Sequence, residues 1–188
     1  MAGQRRAPQQ GVVVPAIETA SSTAAVRSLG RRSIPTIAVS EHERPPAFDS
    51  KYCDETVAVP DPNTDLAAYE SALLELARRD DVGTILPFRE ADIYALARTR
   101  DEFADHVGTP WPALSTLRRV QDRVALFEAA DRAGVATPRT RIFDEWDDWD
   151  GECIVKPRYT LRAPEYDDRF EIAETQWSST EYVEPGER

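Results

Sequence analysis

Four short β-branched runs separated by helical or turn-rich stretches occupy the first hundred residues, and this alternation constrains the fold more than any other feature. The runs are "GVVVPAI" (Gly11–Ile17), "IPTIAV" (Ile34–Val39), "ETVAVP" (Glu55–Pro60) and "VGTILPF" (Val82–Phe88). After the first comes "TASSTAAVRSLG", with Gly30 as a helix C-cap. The third leads to "DLAAYESALLELARR", where Leu66, Tyr69, Leu73 and Leu76 recur at helical spacing and Asn63 and Thr64 offer N-cap oxygens. After the fourth, "EADIYALARTRDEFADHVG" puts Ile93, Leu96, Phe103 and Val107 on one helix face. Strands alternating with helices predict an α/β fold, a parallel sheet covered by helices in Rossmann-like fashion. Such sheets bind ligands at the carboxyl ends of their strands. Those ends carry "PAIETASS", "SEHERPP", "PDPNTD" and "PFREAD", so Arg89 and Glu90 are candidate substrate-binding residues, Glu90 being also a helix N-terminal carboxylate. The first loop has no G-x-G-x-x-G, which counts against a nicotinamide or flavin domain. A dinucleotide or nucleotide-sugar site after Val14 rests on fold-level analogy alone.

"GTPWPALS" (Gly108–Ser115) changes the composition and reads as a domain junction. The expected organisation is a disordered tail over 1–10, an α/β domain over 11–108 and a second domain over 109–188. In the latter, "TLRRVQDRVALFEAADRAGV" predicts a helical stretch with Leu117, Val120, Val124 and Phe127 in register, closed by Gly134. "TPRTRIF" reads as extended, because a residue before proline is biased away from helix. The acidic turn "DEWDDWDGE" lacks the spacing of a calcium loop, and its tryptophans read as packing anchors. Then comes "CIVKP", and the last 25 residues read as extended polar or half-buried structure.

Lys51 and Lys156 are the only lysines among 23 basic residues, against 34 acidic ones and a net charge of -11. That balance argues against nucleic-acid binding, which needs a positive surface. It fits a halophilic chain whose carboxylates keep its surface hydrated, or a GC-rich genome favouring arginine codons. No apolar run approaches the roughly 20 residues that span a bilayer, and no signal-type segment follows the N-terminal Arg pair, so no membrane partner and a cytoplasmic location are expected. Cys53 and Cys153 read as reduced, packed thiols, and His42 and His106 lack metal-ligand spacing.

The order of motifs resembles the ATP-grasp superfamily. There a preATP-grasp α/β domain is followed by a helix opening with Asp-Lys or Asp-Arg and ending at glycine. A P-x-T strand comes next, and then a strand ending in Lys-Pro. This chain supplies "QDRVALFEAADRAGVATPRTRIF" and "CIVKP" in that order. "AAVRSLGRRSIPTIAVSEHERPPAFDSKYCDETV" is similar to the preATP-grasp domains of carbamoyl-phosphate-synthase-like and carboxylate–amine ligases of haloarchaea.

The resemblance implies a ligase that uses ATP to convert a carboxylate into an acyl phosphate, which an amine then attacks. It implies Lys156 and Arg123 as ATP-binding cations, placed where charge gathers on phosphoryl oxygens. Read without it, Lys156 is a snorkelling strand-end lysine and Arg123 a surface helix arginine. The family's glycine-rich loop after Lys-Pro is missing, since no glycine lies between Gly151 and Gly186. The Mg2+ ligands are expected outside this chain, and nothing around Glu181 or Glu184 matches them. The expectation is therefore an incomplete ATP-grasp domain with no catalytic residue of its own, its other half carried by another chain or lost. The alternative is a non-catalytic binding or interaction module.

Overall fold

The computed structural model describes residues 10–15, 20–142, 153–161, 163, 166 and 181–183, with residues 181–183 described by backbone alone. The expectations for the N-terminal tail, the acidic turn and most of the last 25 residues lie outside them. The chain separates into two compact units, Met1–Leu114 and Ser115–Arg188.

The first unit is built on β1 (Gly11–Pro15), β2 (Thr36–Ser40), β3 (Glu55–Ala58) and β4 (Val82–Ile85). They form one sheet in the order β3-β2-β1-β4, every pair parallel. All five residues of β1 and of β2 are buried, as suits strands covered on both faces. Because side chains alternate, Val12, Val14 and Ala38 share a face, where they pack with Val26 of α1 (Ala20–Gly30), Ala47 and Phe48. Tyr69, Leu73 and Leu76 of α2 (Leu66–Ala77) are buried, as are Tyr94 and Leu96 of α3 (Glu90–Arg98) and Phe103 of α4 (Arg100–Ala104). At the amino edge, the Arg79 guanidinium bonds both oxygens of Glu55 at 2.7 and 2.8 Å and both of Asp81 at 2.9 and 2.8 Å.

Three local expectations are corrected here. Asp65, rather than Asn63 or Thr64, caps α2, its side chain accepting from the Ala68 N–H at 2.9 Å. The helix expected from Glu90 onward breaks at Thr99 into α3 and α4, and its buried face carries Asp92, Tyr94 and Leu96, with Ile93 only half-buried. Gly30 is the last residue of α1 and does not adopt a left-handed conformation; Ser33, at φ 57°, does. What Gly30 provides is close approach: a Cβ there would stand 2.5 Å from Tyr52 Cβ. Gly30→Ala is therefore expected to destabilise the first unit by roughly 1–2 kcal/mol, read as a lower urea midpoint with an unchanged slope.

Trp111 belongs to the first unit as a packed side chain. Its ring meets Phe103 edge-on at 5.8 Å, and its Nε1–H donates to the Leu96 carbonyl at 2.9 Å. Gly108 pairs with β4 through Thr84.

The second unit contains α5 (Leu114–Gln121), α6 (Arg123–Arg132), β5 (Cys153–Val155) and β6 (Glu181–Val183), the two strands antiparallel. The continuous helix expected here is interrupted at Asp122. Leu117 is buried, Val124 and Phe127 are half-buried, and Val120 is 46% exposed, so the expected register does not form one buried face. Gly134, at φ 73°, ends the second helix in the left-handed region. Among the described residues no helix is long and apolar enough to cross a membrane.

Candidate functional site

The interruption at Asp122 follows from its side chain. Oδ1 accepts from the Val124 N–H at 3.0 Å and the Ala125 N–H at 3.4 Å, capping α6. The same carboxylate takes a two-pronged bond from Arg158, Nε to Oδ1 at 2.9 Å and a terminal nitrogen to Oδ2 at 2.8 Å. Burial alone would raise the Asp122 carboxyl, but the Arg158 guanidinium and the helix N–H groups outweigh it and hold the carboxyl below its usual value.

Arg123 follows at once. Its backbone N–H donates to the Arg158 carbonyl at 2.9 Å, and its side-chain Nε–H donates to the Pro157 carbonyl at 2.9 Å. The Asp122–Arg123 pair at the start of α6 thus grips Pro157 and Arg158, the two residues that follow Lys156 beyond β5. Lys156 is exposed, and neither it nor Arg123 has a carboxylate partner among the described residues.

The segment after Lys156 is not a glycine-rich cradle, and its fixing residues are visible. Leu161, Ala163 and Tyr166 are buried with Leu117 and Gln121. Tyr166 donates through its hydroxyl to Gln121 Oε1, and Arg118 donates to the Tyr166 carbonyl at 3.1 Å. Tyr159 stacks on Tyr166 at 6.2 Å and bridges to Asp122. Thr160 Oγ1 is buried without a hydrogen-bond partner among the described residues. Among the described residues, Leu161, Ala163 and Tyr166 are thus the buried anchors of this segment.

In the first unit Arg89 does not present an open guanidinium. It donates to Asp92 Oδ1 from Nε at 3.0 Å and pairs with Glu41 Oε1. Asp92, 0% exposed, also accepts from the Tyr69 hydroxyl at 2.9 Å and from the N–H groups of Phe88 and Arg89 at 3.2 and 3.0 Å. Burial opposes the Arg89 charge, yet Asp92 and Glu41 outweigh it and keep the guanidinium protonated. Burial, reinforced by the Asp92 charge, pushes the Tyr69 phenol well up, so it stays a donor. Glu90 occupies the first turn of α3 and is half-buried.

The residues proposed from sequence therefore fall in two places. Lys156 and Arg123 share the second unit's strand end, and Arg89 with Glu90 sits at the carboxyl edge of the first unit's sheet. Glu41, Asp92 and Arg158 were not singled out by sequence reasoning, and Asp122 entered it only as the first member of the Asp-Arg pair expected to open a helix. A signal existed for Asp122, which precedes a helical run as an N-cap does, and for Asp92, an acid at the third helical position. Among the described residues no group of three or more His, Cys, Asp or Glu side chains is placed to hold a metal ion. Compared with known proteins, the chain matches no family model and no curated sequence.

Proposed function

We propose that the second unit binds the phosphates of ATP beside the end of β5, with Lys156 and Arg123 as the contacting cations. In this reading the chain is the phosphate-binding part of an ATP-dependent carboxylate–amine ligase of ATP-grasp type. The observation that carries it is the bond from Arg123 Nε to the Pro157 carbonyl, which ties one candidate cation to the residue next to the other. Two cations without carboxylate partners among the described residues, in the same segment as a buried hydroxyl with spare hydrogen-bonding capacity at Thr160, fit a polyanion better than any other ligand class. The guanidinium supplies directional donors and the ammonium a mobile point charge, so together they orient phosphate oxygens and offset charge gathering on them. ATP would supply the phosphoryl group that activates the carboxylate. No step is assigned to magnesium, for which the described residues provide no ligand set.

Calorimetric titration of the full chain with ATP in concentrated salt and magnesium tests this. Saturable binding at millimolar or lower concentration is expected, with ADP retaining most of it and adenosine little. Lys156→Met should weaken ATP by about tenfold, or ~1.4 kcal/mol, without lowering stability, since the side chain is exposed. Absence of saturable binding, or an unchanged affinity in Lys156→Met, would remove the site. ATP binding with no turnover when carboxylate and amine are supplied would favour a binding module over a ligase.

A further inference from the structure

Among the described residues of the first unit, Glu41 carries a buried carboxylate oxygen with unused hydrogen-bonding capacity. This residue directly follows β2, at the carboxyl edge of a parallel sheet whose strand order turns back at β1. In open parallel sheets, ligands settle outside that edge, near the reversal. Glu41 Oε1 is engaged by Arg89, while Oε2 is buried with no hydrogen-bond partner among the described residues. The side chain as a whole is only 9% exposed. A carboxylate oxygen in that state has given up water without replacement and seeks a donor.

The surrounding charge selects the kind of donor. Glu41 and Asp92 bring two negative charges and Arg89 one positive, leaving one negative charge in surplus in a largely desolvated cluster. Tyr69, which faces Asp92, remains neutral. A hydroxyl would complete the hydrogen bond and leave the surplus charge; a protonated amine answers both. His42 Nε2 lies 3.8 Å from Glu41 Oε1 on a side chain 52% exposed, which leaves Oε2 as the oxygen for a ligand. We infer that Glu41 Oε2 receives the protonated amine of a small molecule, with Arg89 and Asp92 as positioning residues that hold the carboxylate. This stands on the first unit alone and does not depend on ATP binding by the second.

The test is an NMR titration of the isotope-labelled full chain with ethanolamine and, separately, with ethylene glycol as its neutral counterpart. Ethanolamine should shift the backbone amides of Glu41, His42 and Arg89 saturably, while ethylene glycol leaves them in place. Glu41→Gln, which keeps the shape and removes the charge, should weaken ethanolamine at least about tenfold. Equal responses to both compounds, no saturable response to ethanolamine, or undiminished binding by folded Glu41→Gln would each overturn the assignment. The comparison of amine with diol uses the unaltered chain, so it decides the matter even if the variant fails to fold. ATP titration results leave it untouched.

Discussion

Asp92→Ala is expected to lower the stability of the first unit by about 3–5 kcal/mol, because it removes a fully buried carboxylate on which a guanidinium, a phenol and two backbone N–H groups converge. In the native chain this carboxylate, 0% exposed, receives the Arg89 guanidinium, the Tyr69 hydroxyl and the N–H groups of Phe88 and Arg89. Alanine removes all of these partners and leaves Arg89 with Glu41 as its remaining carboxylate. It also removes half of the cap of α3, since the Arg89 N–H precedes the helix and bonds its third residue. Domains of this size are stable by about 5–15 kcal/mol, so the loss would consume roughly a fifth or more of the total. Thermal and urea unfolding should both report it, with a melting temperature lower by roughly 15–30 °C. Tyr69→Phe, which removes one donor and leaves the ion pairs, should cost only about 1 kcal/mol. An Asp92→Ala protein with a native midpoint would show that the cluster contributes nothing to stability.

The same cluster marks where the sequence stops being legible. The four parallel strands could be read because each lies in a short run rich in β-branched residues, a pattern contained within a few consecutive positions, although only β1 and β2 are buried throughout. Arg89 could be read only as a residue at a strand's carboxyl end. Its partner Glu41 lies 48 residues away, and nothing local in "SEHERPP" marks Glu41 as the one that turns inward. The helix breaks were hidden for a related reason. Apolar spacing runs through Thr99 and Asp122 without a flaw, and the break at Asp122 comes from a local cap oxygen whose further partner, Arg158, lies 36 residues onward. Lysine is scarce in this chain, so Lys156 stood out; Arg158, one among many arginines, did not, although it makes the stronger contacts.

Asp122→Ala is the second large effect expected, and it separates holding the proposed phosphate site in shape from touching the phosphate. The substitution removes the cap of α6, worth about 1 kcal/mol. It also removes the Arg158 pair, worth at most about 1 kcal/mol because the arginine side chain is 44% exposed and screened by solvent. Stability should therefore fall by only about 1–2 kcal/mol. The consequence for ATP should be larger, because Arg123 reaches the Arg158 and Pro157 carbonyls from the helix start that Asp122 caps. Once that start frays, both cations lose their common anchor, and ATP affinity should drop by more than tenfold, or above ~1.4 kcal/mol. Asp122→Asn keeps an oxygen for the cap and should recover part of the affinity. Arg158→Leu should reproduce the loss with the cap intact, and the double variant should be less than additive, as for two members of one interaction. The acid response has a fixed sign as well. The Asp122 carboxyl is depressed in the folded chain, so its contribution is complete above the ordinary carboxylate value and disappears as pH falls through the lower folded one. Hydrogen exchange at Arg123 and Thr160 should accelerate over that acid range in the native chain and already be fast near neutrality in Asp122→Ala. Native ATP affinity in Asp122→Ala would sink the positioning role, and slow exchange there would show that the loop holds its shape through Leu161, Ala163 and Tyr166 alone.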